Sequence, residues 1–218
     1  MNTLIKLGPL LARLFDLSDA ARPVFSGVPA SERERLMRSK TEYLELYGAL
    51  KEFPLAVSRE TGALLYMLAR STGATSIVEF GTSFGVSTLH LAAAVRDNCG
   101  SGGGGRVITT EFELSKAERA QEHFVAGGVS DLIEIRLGDA MQTLASDLPE
   151  TIDLVLLDGA KALYPEILAL LESRLKPGAL IVADNADYAP EYLARVRSVE
   201  AGYLSLPFDE DVELSMKL

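Results

Sequence analysis

The 218-residue chain holds a single cysteine, Cys99, so no disulfide forms within it, and its core must hold the fold in a reducing compartment. Histidine is nearly as scarce. His90 and His123 have no cysteine or histidine partner at ligand spacing, which excludes a zinc framework, and no Ser–His triad pattern accompanies them. Basic residues are outnumbered, 21 Lys and Arg against 31 Asp and Glu, for a net charge of −10. Such a surface repels phosphate backbones and disfavours avid nucleic-acid binding. A long apolar run is also missing. Leu4, Ile5, Leu7, Leu10, Leu11, Leu14 and Phe15 are interrupted by Gly8-Pro9, Arg13 and Asp16, which is too broken for a membrane span, and no signal-cleavage site follows. The chain is therefore expected in the cytoplasm, with this segment a helix packed on the domain or on a partner subunit. The glycine tract Gly100–Gly105 has neither the lysine nor the hydroxyl of a P-loop and reads as a flexible surface connection.

What is present is an ordinary globular balance, 48% hydrophobic and 24% charged, with enough chain for one large α/β domain. Residues 1–54 form a helical extension. Ser31 with Glu34 makes a capping box, and Leu36, Met37, Tyr43, Leu44, Tyr47 and Leu50 then recur at helical spacing, a stripe read as core or subunit interface. Pro54 ends it, and a helix is expected over 60–71. Over residues 55–218, apolar runs at 76–80, 106–111, 133–137, 152–158 and 179–184 alternate with helix patterns at 86–96, 115–126, 140–146, 165–175 and 190–197. Continuous apolar strands between helices predict a doubly wound, parallel sheet covered on both faces. Two closing strands, 202–207 and 212–217, are joined by the acidic turn 208–211, too short for a crossover, so they pair antiparallel and complete seven strands.

Chemistry gathers at strand ends. Asp184-Asn185 closes one apolar run, and Asp158-Gly159-Ala160-Lys161 closes another. Two carboxylates and an amide oxygen suit a hard divalent cation such as Mg²⁺, with Lys161 as a base beside it. Glu79-Phe80-Gly81-Thr82-Ser83-Phe84-Gly85 turns from a strand into a helix, and its glycines allow close backbone approach to a ligand beyond the strand end. The Gly-x₃-Gly spacing is not that of a nicotinamide site. Glu111 ends the next strand, where a carboxylate can accept both ribose hydroxyls. Glu79, flanked by apolar residues, needs backbone N–H groups or a ligand ammonium as partner.

The ordered set Glu79-Phe80-Gly81 to Gly85-Val86-Ser87, Glu111, Gly138-Asp139-Ala140, Asp158 with Lys161, and Asp184-Asn185 resembles the cation-dependent class I S-adenosylmethionine O-methyltransferases of catechol and caffeoyl-CoA type, over residues 55–218. The resemblance implies a Rossmann-like fold, S-adenosyl-L-methionine as cofactor, and Mg²⁺, Mn²⁺ or Ca²⁺ at Asp158, Asp184 and Asn185. It implies Glu79 on the methionine amino group, Gly81 beneath the methionine, Ser87 on its carboxylate, and Val57 and Ser58 lining that pocket. It further implies Glu111 on the ribose, Asp139 and Ala140 at the adenine, and Lys161 as base with Asp158 beside it. The catechol enzyme's glutamate in the penultimate strand has no counterpart here, where Pro207 and Phe208 stand. The expected activity is methylation of a hydroxylated, vicinal-diol small molecule by a homodimer. A tRNA hydroxyuridine-type methyltransferase and a non-catalytic nucleotide-binding module are the alternatives.

Overall fold

A computed structural model describes residues 2–25, 29–100, 103–208 and 211–218. Ser101 and Gly102 of the glycine tract, and Asp209 and Glu210 of the acidic turn, lie outside the described residues.

Seven strands form one sheet: β1 (Ser76–Phe80), β2 (Arg106–Glu111), β3 (Ile133–Leu137), β4 (Ile152–Leu157), β5 (Leu175–Ala183), β6 (Tyr203–Phe208) and β7 (Val212–Lys217). Their order is β3-β2-β1-β4-β5-β7-β6. The first five run parallel, and β7 pairs antiparallel with both β5 and β6. The chain reverses its winding between β1 and β4, so their C-terminal ends open a crevice there, the usual place for a ligand in such sheets.

The central strands β1 and β4 are buried along almost their whole length because helices cover both faces of the sheet. One face carries α1 (Thr3–Phe25), α4 (Arg59–Ser71), α5 (Val86–Cys99) and α6 (Leu114–Gly127), with Leu7, Leu14, Leu65, Leu89 and Phe124 in one cluster with Ile77 and Leu154. The opposite face carries α7 (Ala140–Thr143), α8 (Tyr164–Leu171) and α9 (Pro190–Val196), where Leu144, Ile167, Leu168 and Tyr192 meet Val78, Val155 and Ile181. Each fully buried leucine or isoleucine contributes roughly 1.5–3 kcal/mol.

Some expectations need correction. The helix α2 (Ala30–Met37) starts from Pro29, whose φ of −53° is already helical, and makes no side-chain cap bond; Ser31 is its second residue and not a cap. The helix predicted over 140–146 is the single turn α7, and β5 reaches back to Leu175, with a register shift against β4 between Ile152 and Leu154. The apolar stripe of α1 is buried within the chain, against α5 and α6. Of the two expected packings of this segment, on the domain or on a partner subunit, Leu7, Leu11 and Leu14 take the first.

Candidate active site

The crevice holds a cavity of about 170 Å³ whose lining includes Gly81, Ser83, Glu111, Lys116, Asp139, Ala140 and Asp158. Beside it lies a second cavity of about 170 Å³, where Asp158, Lys161, Asp184 and Asn185 face Met37, Leu46, Tyr47, Leu50, Leu55 and Ala56. Tyr47, Leu55 and Asp158 line both, so they form the wall between the two.

The glycine loop explains the floor of the first cavity. Gly81 sits at φ +105°, and a Cβ there would come within 2.7 Å of the Asp158 carbonyl oxygen. Only glycine lets the β1 and β4 ends approach this closely. Gly85, at φ +83°, precedes α5; a Cβ there would strike the Phe124 ring at 2.4 Å. Glu111 accepts backbone N–H bonds from Ser83 (2.8 Å), Phe112 (2.8 Å) and Glu113 (2.9 Å). Burial pushes its carboxyl up, and those N–H groups and the Lys116 ammonium pull the other way. Asp139 caps α7 by accepting from the Met141 N–H at 2.9 Å, next to Ala140 on the cavity wall.

Other expected cofactor contacts point elsewhere. Along β1 side chains alternate between faces, so Phe80 reaches the cavity while Glu79 turns toward α5. Fully buried, Glu79 accepts hydroxyl bonds from Ser87 (2.5 Å), Thr109 (2.6 Å) and Thr88. Burial drives its carboxyl up to about 7, with the three hydroxyls opposing. The Ser87 hydroxyl proton is thus engaged by Glu79. Ser58 is the N-cap of α4, accepting from the Thr61 N–H at 2.9 Å, and Val57 is buried beside it; neither lines a cavity described here.

The second cavity gathers the charged set. Lys161 is 4% exposed, donates to Asp158 at 2.7 Å and lies 3.9 Å from Asp184. Burial pushes its amine down, but the Asp158 and Asp184 carboxylates and the Tyr164 phenol more than reverse this, holding it well above the ordinary lysine range. These two carboxylates hold the paired amine in its ammonium form. Asp184 is raised to about 7, by burial and then by the Asp158 carboxylate. Asn185 adopts φ +48°, a conformation asparagine tolerates, and donates its amide to Asp211 at 2.7 Å. That bond orients the amide oxygen away from Asp211.

Sequence reasoning missed several walls. The helix α3 (Tyr43–Ala49) lays Tyr43, Leu44 and Tyr47 over the first cavity, and Leu46 with Leu50 and Met37 closes the second. The stripe assigned to core or interface is therefore, in large part, a cavity wall. Tyr47 latches α3 to the β4 loop by donating to the Gly159 carbonyl at 3.1 Å. Lys116, Leu55 and Asp211 were also unassigned. Pro207 and Phe208 line neither cavity.

A glycine turn at the switch point, an acidic residue ending β2 and a cavity across both define a nucleotide-cofactor site on a doubly wound sheet. The family model described as methyltransferase domain matches residues 78–186. The chain belongs to this family. It is 34% identical over 134 residues to a catechol O-methyltransferase of Niastella koreensis, covering 60% of this chain. The same identity holds over 131 residues for a catechol O-methyltransferase of Mycobacterium tuberculosis, again covering 60% of this chain. The chain spans 58% and 57% of the length of these two relatives. Among solved structures, the O-methyltransferase TomG from Streptomyces achromogenes, in complex with S-adenosylmethionine, superposes with a TM-score of 0.65 at 25% identity, over 84% of this chain and 89% of that one. An O-methyltransferase from Bacillus cereus in complex with S-adenosylhomocysteine shares the fold at TM-score 0.65 and 20% identity, over 94% and 100% of the two chains.

Proposed function

We propose that this chain transfers the methyl group of S-adenosylmethionine to an oxygen of a small molecule bearing vicinal hydroxyls, with a divalent cation held by Asp158, Asp184 and Asn185. The observation that carries the reading is the shared wall. A cavity at the glycine loop and a cavity lined by acids, an amide and a lysine meet at Asp158 and Tyr47. Donor and acceptor held on either side are brought into line, and alignment is the protein's main contribution when the cofactor carries the reactive sulfonium. The catechol O-methyltransferases among the relatives support the acceptor class.

The residues present fit a hard cation. Two carboxylates and an amide form an all-oxygen donor set, and a cation there would offset both the burial and the Asp158 repulsion that raise Asp184. Among the described residues no group of three or more His, Cys, Asp or Glu could hold a metal, so the amide is needed as third ligand. The ion, when bound, would polarise a chelated hydroxyl and lower its pKa. Lys161 can accept that hydroxyl proton at Nζ only when the two carboxylates are engaged by another cation, because alone they hold it as an ammonium. Met37, Leu46, Leu50 and Leu55 offer an apolar slot for a planar ring.

Calorimetric titration with S-adenosylhomocysteine tests the cofactor assignment, and product formation from a 3,4-dihydroxyphenyl panel with and without Mg²⁺ tests the acceptor. Binding of NAD in place of the adenosyl cofactor would overturn the reading.

A further inference from the structure

We propose that Lys116, the one cation among the described residues lining the first cavity, anchors the carboxylate at the aminoacyl end of the cofactor. This rests on the cofactor reading above. Lys116 lies in the first turn of α6, is 3% exposed, and lines the first cavity. Its stem is fixed, because residues 116, 120 and 124 lie on one helix face and Ala120 and Phe124 pack under Gly85. Among the described residues nothing hydrogen-bonds its ammonium or pairs with it within 4.0 Å. Burial pulls its amine down, and the Glu111, Glu113 and Asp158 carboxylates oppose this through space. An ammonium has three donors, and a buried charge requires a partner. The described residues supply no direct hydrogen bond, which leaves its donors open to an occupant of the cavity it lines.

The charges are complementary in sign. The charged residues lining the cavity are Glu111, Glu113, Asp139, Asp158 and Lys116. S-adenosylmethionine brings a sulfonium, an ammonium and one carboxylate. The acids suit its cations, and Lys116 is the one cation in that lining to meet its anion. The serine expected to hold this carboxylate, Ser87, is bonded to Glu79, and the Glu111 carboxylate is engaged by three backbone N–H groups.

The test compares S-adenosylhomocysteine with its decarboxylated analogue, which lacks only the carboxylate, on wild type, Lys116→Met and Lys116→Gln. Wild type should bind the analogue about 10- to 100-fold more weakly than S-adenosylhomocysteine, the effect of one or two charge-assisted bonds. Either variant should lose a similar factor for S-adenosylhomocysteine and none for the analogue, and Lys116→Arg should recover part of it. Wild type binding both ligands equally overturns the proposal, as does a variant that weakens both alike, since that is a packing role. The wild-type arm stands even if a variant misfolds. If wild type binds neither ligand, the cofactor reading itself fails instead.

Discussion

At the scale of single residues, the buried carboxylate of Glu79 is the clearest source of pH dependence. Its folded pKa, about 7, lies above the ordinary 4.5. Between those values the native state keeps a proton that the unfolded chain gives up, so the contribution to stability is full below about 4.5 and is lost as pH rises through about 7. Roughly 3 kcal/mol is at stake at one pK unit per 1.36 kcal/mol. Glu79→Gln removes the titration, and the hydroxyls of Ser87, Thr88 and Thr109 can rotate to suit an amide. The variant should match wild type at pH 5 and exceed it at pH 8 in urea-unfolding midpoint; a lower midpoint at both values would show that the ionised form is needed. Glu111→Ala should weaken S-adenosylhomocysteine binding by roughly 2–4 kcal/mol in calorimetry, through lost ribose bonds and a loosened glycine loop. Unchanged affinity would remove Glu111 from the site. The legible residues were those at strand C-termini. Asp158, Asp184, Asn185 and Glu111 reach the crevice because every parallel strand ends there. Glu79 lies one residue further in, and strand alternation turns it to the other face. Ser87 follows it, since its helix start is where Glu79 points.

At the scale of elements, the β1 and β4 ends are locked together by the Gly81 contact. Gly81→Ala combines an unfavourable positive φ, roughly 1–3 kcal/mol, with a Cβ 2.7 Å from the Asp158 carbonyl. The contact is with backbone, so relief requires the β4 loop to move, and Asp158 moves with it. Chemical denaturation should show the stability loss, and S-adenosylhomocysteine affinity should fall along with it. A variant that is destabilised but binds normally would mean that the loop gives way without disturbing the cavity. The seven strands were readable with near-correct bounds, because apolar runs between turn residues have few other readings in an α/β chain. The role of α3 was not readable. Helical periodicity reports which side of a helix is apolar, and the wall of a ligand cavity is as apolar as a core. Tyr43 and Tyr47 four residues apart were the available hint, since a phenol carries a polar tip that a pure core has little use for. Asp211 follows a hairpin turn, and its bond to Asn185 depends on β7 lying beside β5, a neighbour relation that no local pattern encodes.

For the whole molecule, the proposed function divides the work between the two cavities, so they should respond separately to metal removal. The first is lined by Gly81, Glu111, Asp139 and Ala140, none of which belongs to the proposed cation set; only Asp158 is common. Chelation with EDTA should therefore abolish methylation of a 3,4-dihydroxyphenyl acceptor while leaving S-adenosylhomocysteine binding in place, and Mg²⁺ or Mn²⁺ should restore turnover. Full turnover in chelator would make Asp158, Asp184 and Asn185 purely structural. The same division governs acceptor choice. A vicinal diol presents two oxygens to one cation and is fixed in orientation, whereas a mono-phenol presents one and can swing within an apolar slot. The slot has no polar residue on the Met37, Leu46, Leu50 side to replace the missing bond. Mono-phenols should accordingly be poor acceptors, with the loss seen in kcat as well as in KM because alignment and activation fail together. With Pro207 and Phe208 outside both cavities, no side chain from β6 selects between the two hydroxyls, so meta and para products should both form. Chromatographic separation of the two methyl ethers measures the ratio. A single product would mean that the α3 side of the slot, most directly the fixed Tyr47 ring, holds the acceptor in one pose.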